Sequence, residues 1–79
     1  MKRIVETAQK NMTRNAIKRY REQANMTQAE LSHQLETVAV YVCRGSISRI
    51  EQGIRIVSDL ELYGISKVLN IPIEAFFQE

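Results

Sequence analysis

The chain of 79 residues holds one cysteine, one histidine, one proline, three glycines and no tryptophan. Cys43 has no partner for an intrachain disulfide. His33 and Cys43 are the only soft ligands, so a structural zinc site, which usually takes four from His and Cys, is excluded. No segment approaches the roughly 18 consecutive apolar residues of a membrane helix, and no apolar signal segment follows the basic start. The expectation is a soluble, cytoplasmic protein with no metal or cofactor. Breakers are scarce, 44% of residues are hydrophobic and the net charge is only +2, which argues against disorder. A chain this short buries only about 60% of the surface its unfolded state exposes, so regular packing must stand in for disulfides or metal. One compact, mostly helical domain follows.

The small net charge hides a strong asymmetry. Residues 1–21 hold Lys2, Arg3, Lys10, Arg14, Lys18, Arg19 and Arg21 against Glu6 alone, a net of +6, and the remainder carries −4. A basic N-terminal third suits a polyanion better than an acidic or neutral ligand, although charged residues also serve as an ordinary solvated helix face.

Three sites suit helix ends: Asn25 ahead of Thr27, Gly53 after Glu51-Gln52, and Asn70 ahead of Pro72. Between them the apolar residues keep helical spacing: Ile17, Tyr20 and Ala24, then Leu31 and Leu35, then Ile47 and Ile50, then Leu62, Ile65, Ser66 and Leu69. Ser58 with Glu61, and Thr27 with Glu30, carry the capping-box signature. A last helix is expected from Pro72, whose fixed φ and missing N–H suit a first turn, to Phe77. Thr37 to Cys43 departs from the pattern, with Val38, Val40 and Val42 alternating, and reads as an extended loop. Ile4, Ala8 and Met12 permit a short helix near the start, in a basic extension taken as residues 1–13 ahead of a domain at 14–79. The fold class is all-α with five helices.

The order Ile17-x-x-x-Arg21, Thr27-Gln28-Ala29-Glu30-Leu31, Ile47-Ser48-Arg49-Ile50-Glu51-Gln52-Gly53 and Leu69-Asn70-Ile71-Pro72 resembles the Xre-type, lambda-repressor-like helix-turn-helix family. The resemblance spans about residues 14–77. It implies a five-helix domain whose second and third helices form the helix-turn-helix, with the third, about residues 44–52, in the major groove of DNA. Leu31 and Ile47 stand about five residues further apart than the family usually has them, as in a subgroup with an expanded turn followed by a run like Arg44 to Glu51. Glu36 stands where the family usually closes the second helix with glycine, and Ser32 replaces a small apolar residue. Matching positions imply that Arg21 and Glu51 form an ion pair between the first and third helices.

On a third helix that buries Ile47, Ile50 and Glu51, the residues Gly45, Ser46, Ser48 and Arg49 are left for DNA, with Arg44 at the tip. The planar fork of an arginine bridges guanine O6 and N7, serine bonds base edges or phosphate, and Gly45 allows close approach. Thr27 and Gln28 open the second helix, where N–H groups and the dipole favour a phosphate. Gln52 and Arg55 are further phosphate contacts, and Arg14, Lys18 and Arg19 add non-specific attraction. Lys2-Arg3 is read as a flexible arm, with fraying as the plain alternative. Cys43, at a helix start, has the setting for a depressed thiol pKa but also that of a plain packed cysteine. His33 receives no role. Phe76 is expected in the core, whereas Phe77, Tyr63 and Leu60 lie off the stripe and are assigned to a dimer contact. Gly64, inside a helix, implies a close approach within or between chains.

The reading is therefore a DNA-binding transcriptional regulator of bacterial or phage type, a repressor acting as a homodimer on a pseudo-palindromic operator. The alternative is a protein-interaction module of antitoxin or adaptor kind with a protein partner, which the long apolar loop favours. An enzyme is rejected, since no Ser/His/Asp or Cys/His arrangement and no glycine-rich phosphate loop is present.

Overall fold

The computed structural model describes residues 9–77, with side chains from Thr13 onward. Four α-helices follow one another, α1 Gln9–Gln23, α2 Gln28–Glu36, α3 Arg44–Glu51 and α4 Asp59–Leu69, and a 3₁₀ helix Ile73–Phe77 ends the described chain. The expected five α-helices are thus four and a 3₁₀ turn among the described residues. Pro72 does start it, but the closing bond runs from Ala75 N–H to the Pro72 carbonyl at 2.9 Å, an i to i+3 link, in a segment too short for a regular α-helical ladder. Helix α1 begins at Gln9, ahead of the boundary placed at residue 14. The Lys2-Arg3 arm, and Ile4 and Ala8 of the short helix, lie outside the described residues; the backbone of Met12 falls in α1.

The helix starts follow the sequence closely. Thr27 Oγ1 accepts from Glu30 N–H at 3.0 Å while Glu30 Oε1 accepts from Thr27 N–H at 2.8 Å, and Ser58 and Glu61 repeat the reciprocal pair at 3.2 and 3.0 Å. Two of the N–H groups left over at each helix start are thereby satisfied.

All four α-helices close with the same motif, a 6→1 bond enclosing a 5→2 bond around a left-handed residue. Asn25, Gly53 and Asn70 take the left-handed position with φ of 57°, 81° and 59°. At α2 it is Ala39, φ 61°, with Val40 N–H bonded to the Leu35 carbonyl and Ala39 N–H to the Glu36 carbonyl, both at 3.0 Å. A left-handed conformation costs an L-residue roughly 1–2 kcal/mol, which is why composition marks the other three ends and not this one.

The core is built from Ala16 and Ile17 of α1, Leu31 and Leu35 of α2, Ile47 and Ile50 of α3, Leu62 and Ile65 of α4, and Phe76, with Val40 and Val42 from the loop. Tyr20 closes one side, its ring edge-on to Phe76 at a centroid distance of 5.4 Å. Ala24, counted in the first apolar stripe, is exposed, because α1 has already ended and the chain turns away after Gln23.

The loop puts two of its three valines into the core. Val40 and Val42 are 5% and 3% exposed, and of its large apolar side chains Val38 and Tyr41 face outward. Gly64 makes this possible: a Cβ there would lie 2.8 Å from Val40 Cγ2 and 3.2 Å from Leu35 Cδ2. The close approach is within the chain, between α4 and the insertion.

Candidate nucleic-acid interface

The helix expected to read DNA is held from behind by a buried cluster of side chains. Arg21 Nε donates to Glu51 Oε2 at 2.7 Å and Arg21 Nη2 to Glu51 Oε1 at 3.0 Å, while Arg21 Nη1 donates to the Met26 carbonyl at 2.7 Å. The two side chains are 10% and 4% exposed. The hydrogen bond to Glu51 raises the Arg21 pKa above its already high ordinary value, against the opposing effect of burial. Gln28 completes the cluster, its Nε2 donating to Glu51 Oε1 at 3.0 Å. The first residue of α2, the last turn of α1 and the end of α3 are thereby locked together. Gln28, assigned to a phosphate, spends one amide hydrogen inward and keeps its other amide hydrogen and its oxygen for an outside partner.

At the same C-terminal end of α3 Arg14 reaches across from α1, its Nη1 donating to the Gln52 carbonyl at 2.9 Å. Its side chain lies where a Cβ on Gly53 would stand, 2.8 Å away, so Gly53 is required both by its φ and by this contact. Arg14 Nε is buried with no hydrogen-bond partner. This arginine, grouped with the phosphate-attracting cations, caps the recognition helix, where a cation also suits the negative end of the dipole.

The outer face of α3 follows from the burial of Ile47, Ile50 and Glu51. Arg44 and Arg49 are exposed, and Gly45, Ser46 and Ser48 are half-buried between them. Arg49 folds back along the helix, its Nη2 3.5 Å from Ser46 Oγ and its Nη1 3.6 Å from where a Gly45 side chain would begin. Gln52 Nε2 donates to Ser48 Oγ at 2.8 Å. Cys43, the N-cap, is exposed and its Sγ lies in hydrogen-bond contact with Ser46 Oγ at 3.4 Å. Its pKa is lowered, first by the Ser46 hydroxyl, then by backbone N–H groups of the helix start and the charge of Arg49.

Arg55, assigned to a phosphate, has an acidic partner within the chain. It forks onto Glu61, Nη1 to Oε1 at 2.9 Å and Nη2 to Oε2 at 2.7 Å, which joins the α3–α4 loop to the first turn of α4. Glu61 is pushed down from 4.5 to about 2, chiefly by that guanidinium. Glu61 was legible as a cap; its second role needed the loop to fold back over six residues. Thr27 is likewise engaged as the N-cap of α2. Lys18 is exposed on α1, and the Arg19 guanidinium sits 4.8 Å from the Tyr20 ring centroid. His33 is exposed. Leu60, Tyr63 and Phe77 are 64%, 50% and 42% exposed, and Lys67 lies over the Tyr63 ring. Among the described residues no group of His, Cys, Asp and Glu is arranged to hold a metal ion, and no helix is long and apolar enough to cross a membrane.

Two helices joined across a turn, the second braced from behind and turning arginine and serine outward, define a helix-turn-helix protein. Residues 17–76 match the helix-turn-helix family model, and the chain belongs to that family, the Xre or lambda-repressor-like one, a family of DNA-binding transcription regulators. No curated protein matches the chain.

Proposed function

We propose that this protein is a sequence-specific repressor of bacterial or phage type that binds operator DNA as a homodimer, with α3 in the major groove and the cytoplasm as its place of action. One observation carries the reading. The only acidic residue of α3, Glu51, is buried and paired, so the exposed face of the recognition helix presents Arg44, Arg49 and hydroxyls and no negative charge. Such a face attracts a polyanion and offers the arginine fork that distinguishes guanine. The adaptor alternative drew on an apolar loop, and the burial of Val40 and Val42 leaves Val38 and Tyr41 as its large exposed apolar side chains, a smaller surface than the sequence suggests.

In this reading Arg49, Arg44, Ser46 and Ser48 face base edges, Gly45 lets the helix approach, and Gln28, Gln52 and Lys18 hold phosphates. Selection of binding sites from random duplexes with the purified protein, followed by the same selection with two variants, tests it. Arg49→Ala should cost about 1–3 kcal/mol in affinity and relax preference at one base pair. Lys18→Ala should weaken all sequences alike and reduce the salt slope by about one per contact. An Arg49→Ala profile that is weaker yet unchanged at every position would move base reading to Arg44 and Ser48.

A further inference from the structure

The insertion between α2 and α3 is anchored by its two buried valines, and its most exposed large side chain is Tyr41. Ala39 holds a left-handed turn that two backbone bonds close, Val40 is seated on Gly64 and Leu35, and Val42 is buried two residues further on. Tyr41, between two buried valines, is 76% exposed. In extended backbone successive side chains alternate, so burying Val40 and Val42 sends the phenol to the opposite side, away from the core. Its position is imposed by its neighbours and owes nothing to burial of its own ring.

That position adjoins the start of the recognition helix. Two residues on, Cys43 is the N-cap of α3, followed by Arg44, with Ser46 and Arg49 on the next turn. Two peptide units span at most about 7 Å, and a tyrosine hydroxyl reaches roughly as far again from its backbone. Between Glu36 and Glu51 there is no acidic residue, so the stretch that carries the phenol and both arginines holds no negative charge of its own. A neutral O–H in that setting is a donor for a phosphate oxygen, and contacts of this kind set the register of a protein on a duplex.

We infer that Tyr41 is a DNA-backbone contact, its hydroxyl donating to a phosphate at the edge of the groove that α3 enters, so that the insertion adds an anchor beside the helix N-terminus. The inference rests on the DNA-binding reading above. It assigns Tyr41 a signature that separates it from the cations: the phenol is uncharged and releases no counterion, so its loss lowers affinity without changing the salt slope.

The test uses the site that the wild-type protein selects. Tyr41→Phe and Tyr41→Ala should each weaken binding about five- to tenfold, the scale of one solvent-exposed net hydrogen bond, with base preference, salt slope and melting temperature unchanged. A methylphosphonate placed in turn at each backbone position should find one phosphate whose neutralisation weakens the wild type and leaves Tyr41→Phe unaffected. Wild-type affinity in both variants, on a site where Arg49→Ala has lost its preference, overturns the inference and leaves the DNA-binding reading standing. Loss in Tyr41→Ala without loss in Tyr41→Phe overturns the hydroxyl's role, since the ring alone would then carry the contact. A wild-type protein that selects no site overturns both.

Discussion

Arg21 shows how much one residue carries when it is both charged and enclosed. Its guanidinium satisfies Glu51 and the Met26 carbonyl at once, and Glu51 also receives Gln28. Removing the arginine strands a carboxylate that is 4% exposed, and an uncompensated buried charge costs far more than a surface pair returns. Arg21→Ala should therefore destabilise by about 2–4 kcal/mol, against a few tenths for the exposed Lys18→Ala. Urea titrations that give the two variants the same midpoint would contradict this. The Arg55–Glu61 pair is expressed in pH instead. Because the folded carboxyl titrates at about 2 rather than 4.5, the stabilisation is complete above pH 4.5 and is lost as the pH falls toward 2. Melting temperature followed from pH 6 to pH 2 should fall less steeply below about pH 4.5 in Glu61→Gln than in the wild type. Parallel curves would place the depressed carboxyl elsewhere.

Between elements the deciding contact is the seat of the insertion on α4. Glycine within a helix costs roughly 1 kcal/mol relative to alanine, so Gly64→Ala would stabilise an isolated α4. In the folded protein the new methyl meets Val40 at 2.8 Å, and overpacking a β-branched neighbour costs about 1–3 kcal/mol, which outweighs the gain. Gly64→Ala should thus lower stability by up to about 2 kcal/mol, and in a Val40→Ala background the same change should become neutral or favourable. A double-mutant cycle with no coupling would mean that the loop does not rest on Gly64. The clamp at the far end of α3 is a second such contact: Arg14 ties α1 to the Gln52 carbonyl and fills the space above Gly53.

At the scale of the whole molecule the proposed homodimer carries its own prediction. A domain with a single short recognition helix makes few base contacts, and two-fold symmetry doubles them. The protein should occupy two half-sites about one helical turn apart. Phe77 and Tyr63 are half-exposed and Leu60 more so, and Phe77→Asp should shift the protein toward monomer and weaken binding to the full site more than to a half-site. Mass measurement of the complex, together with a footprint, checks both. A monomer protecting one undivided half-site at saturation would exclude the dimer.

What the sequence determined by itself is local in origin. Capping boxes at Thr27 and Ser58, helix ends at Asn25, Gly53 and Asn70, and the apolar face of α4 all arise from groups within one turn of each other, where side-chain identity decides the geometry directly. The motifs around Ile17, Thr27 and Ile47 were enough for the family. Only the tertiary structure decided the rest. An alternating run of valines does not say which side faces in, and Ala39 carries no mark of the left-handed turn that points Val40 and Val42 inward and Tyr41 out. Seven cations in the first 21 residues look alike in sequence. Arg21 goes to a carboxylate 30 residues away, and Arg14 to a carbonyl 38 residues away, because the packing of α1 against α3 brings those groups within reach. Gln28 meets the same carboxylate across 23 residues. Contacts over such separations follow from how helices pack, and composition along the chain does not encode that packing at any single position.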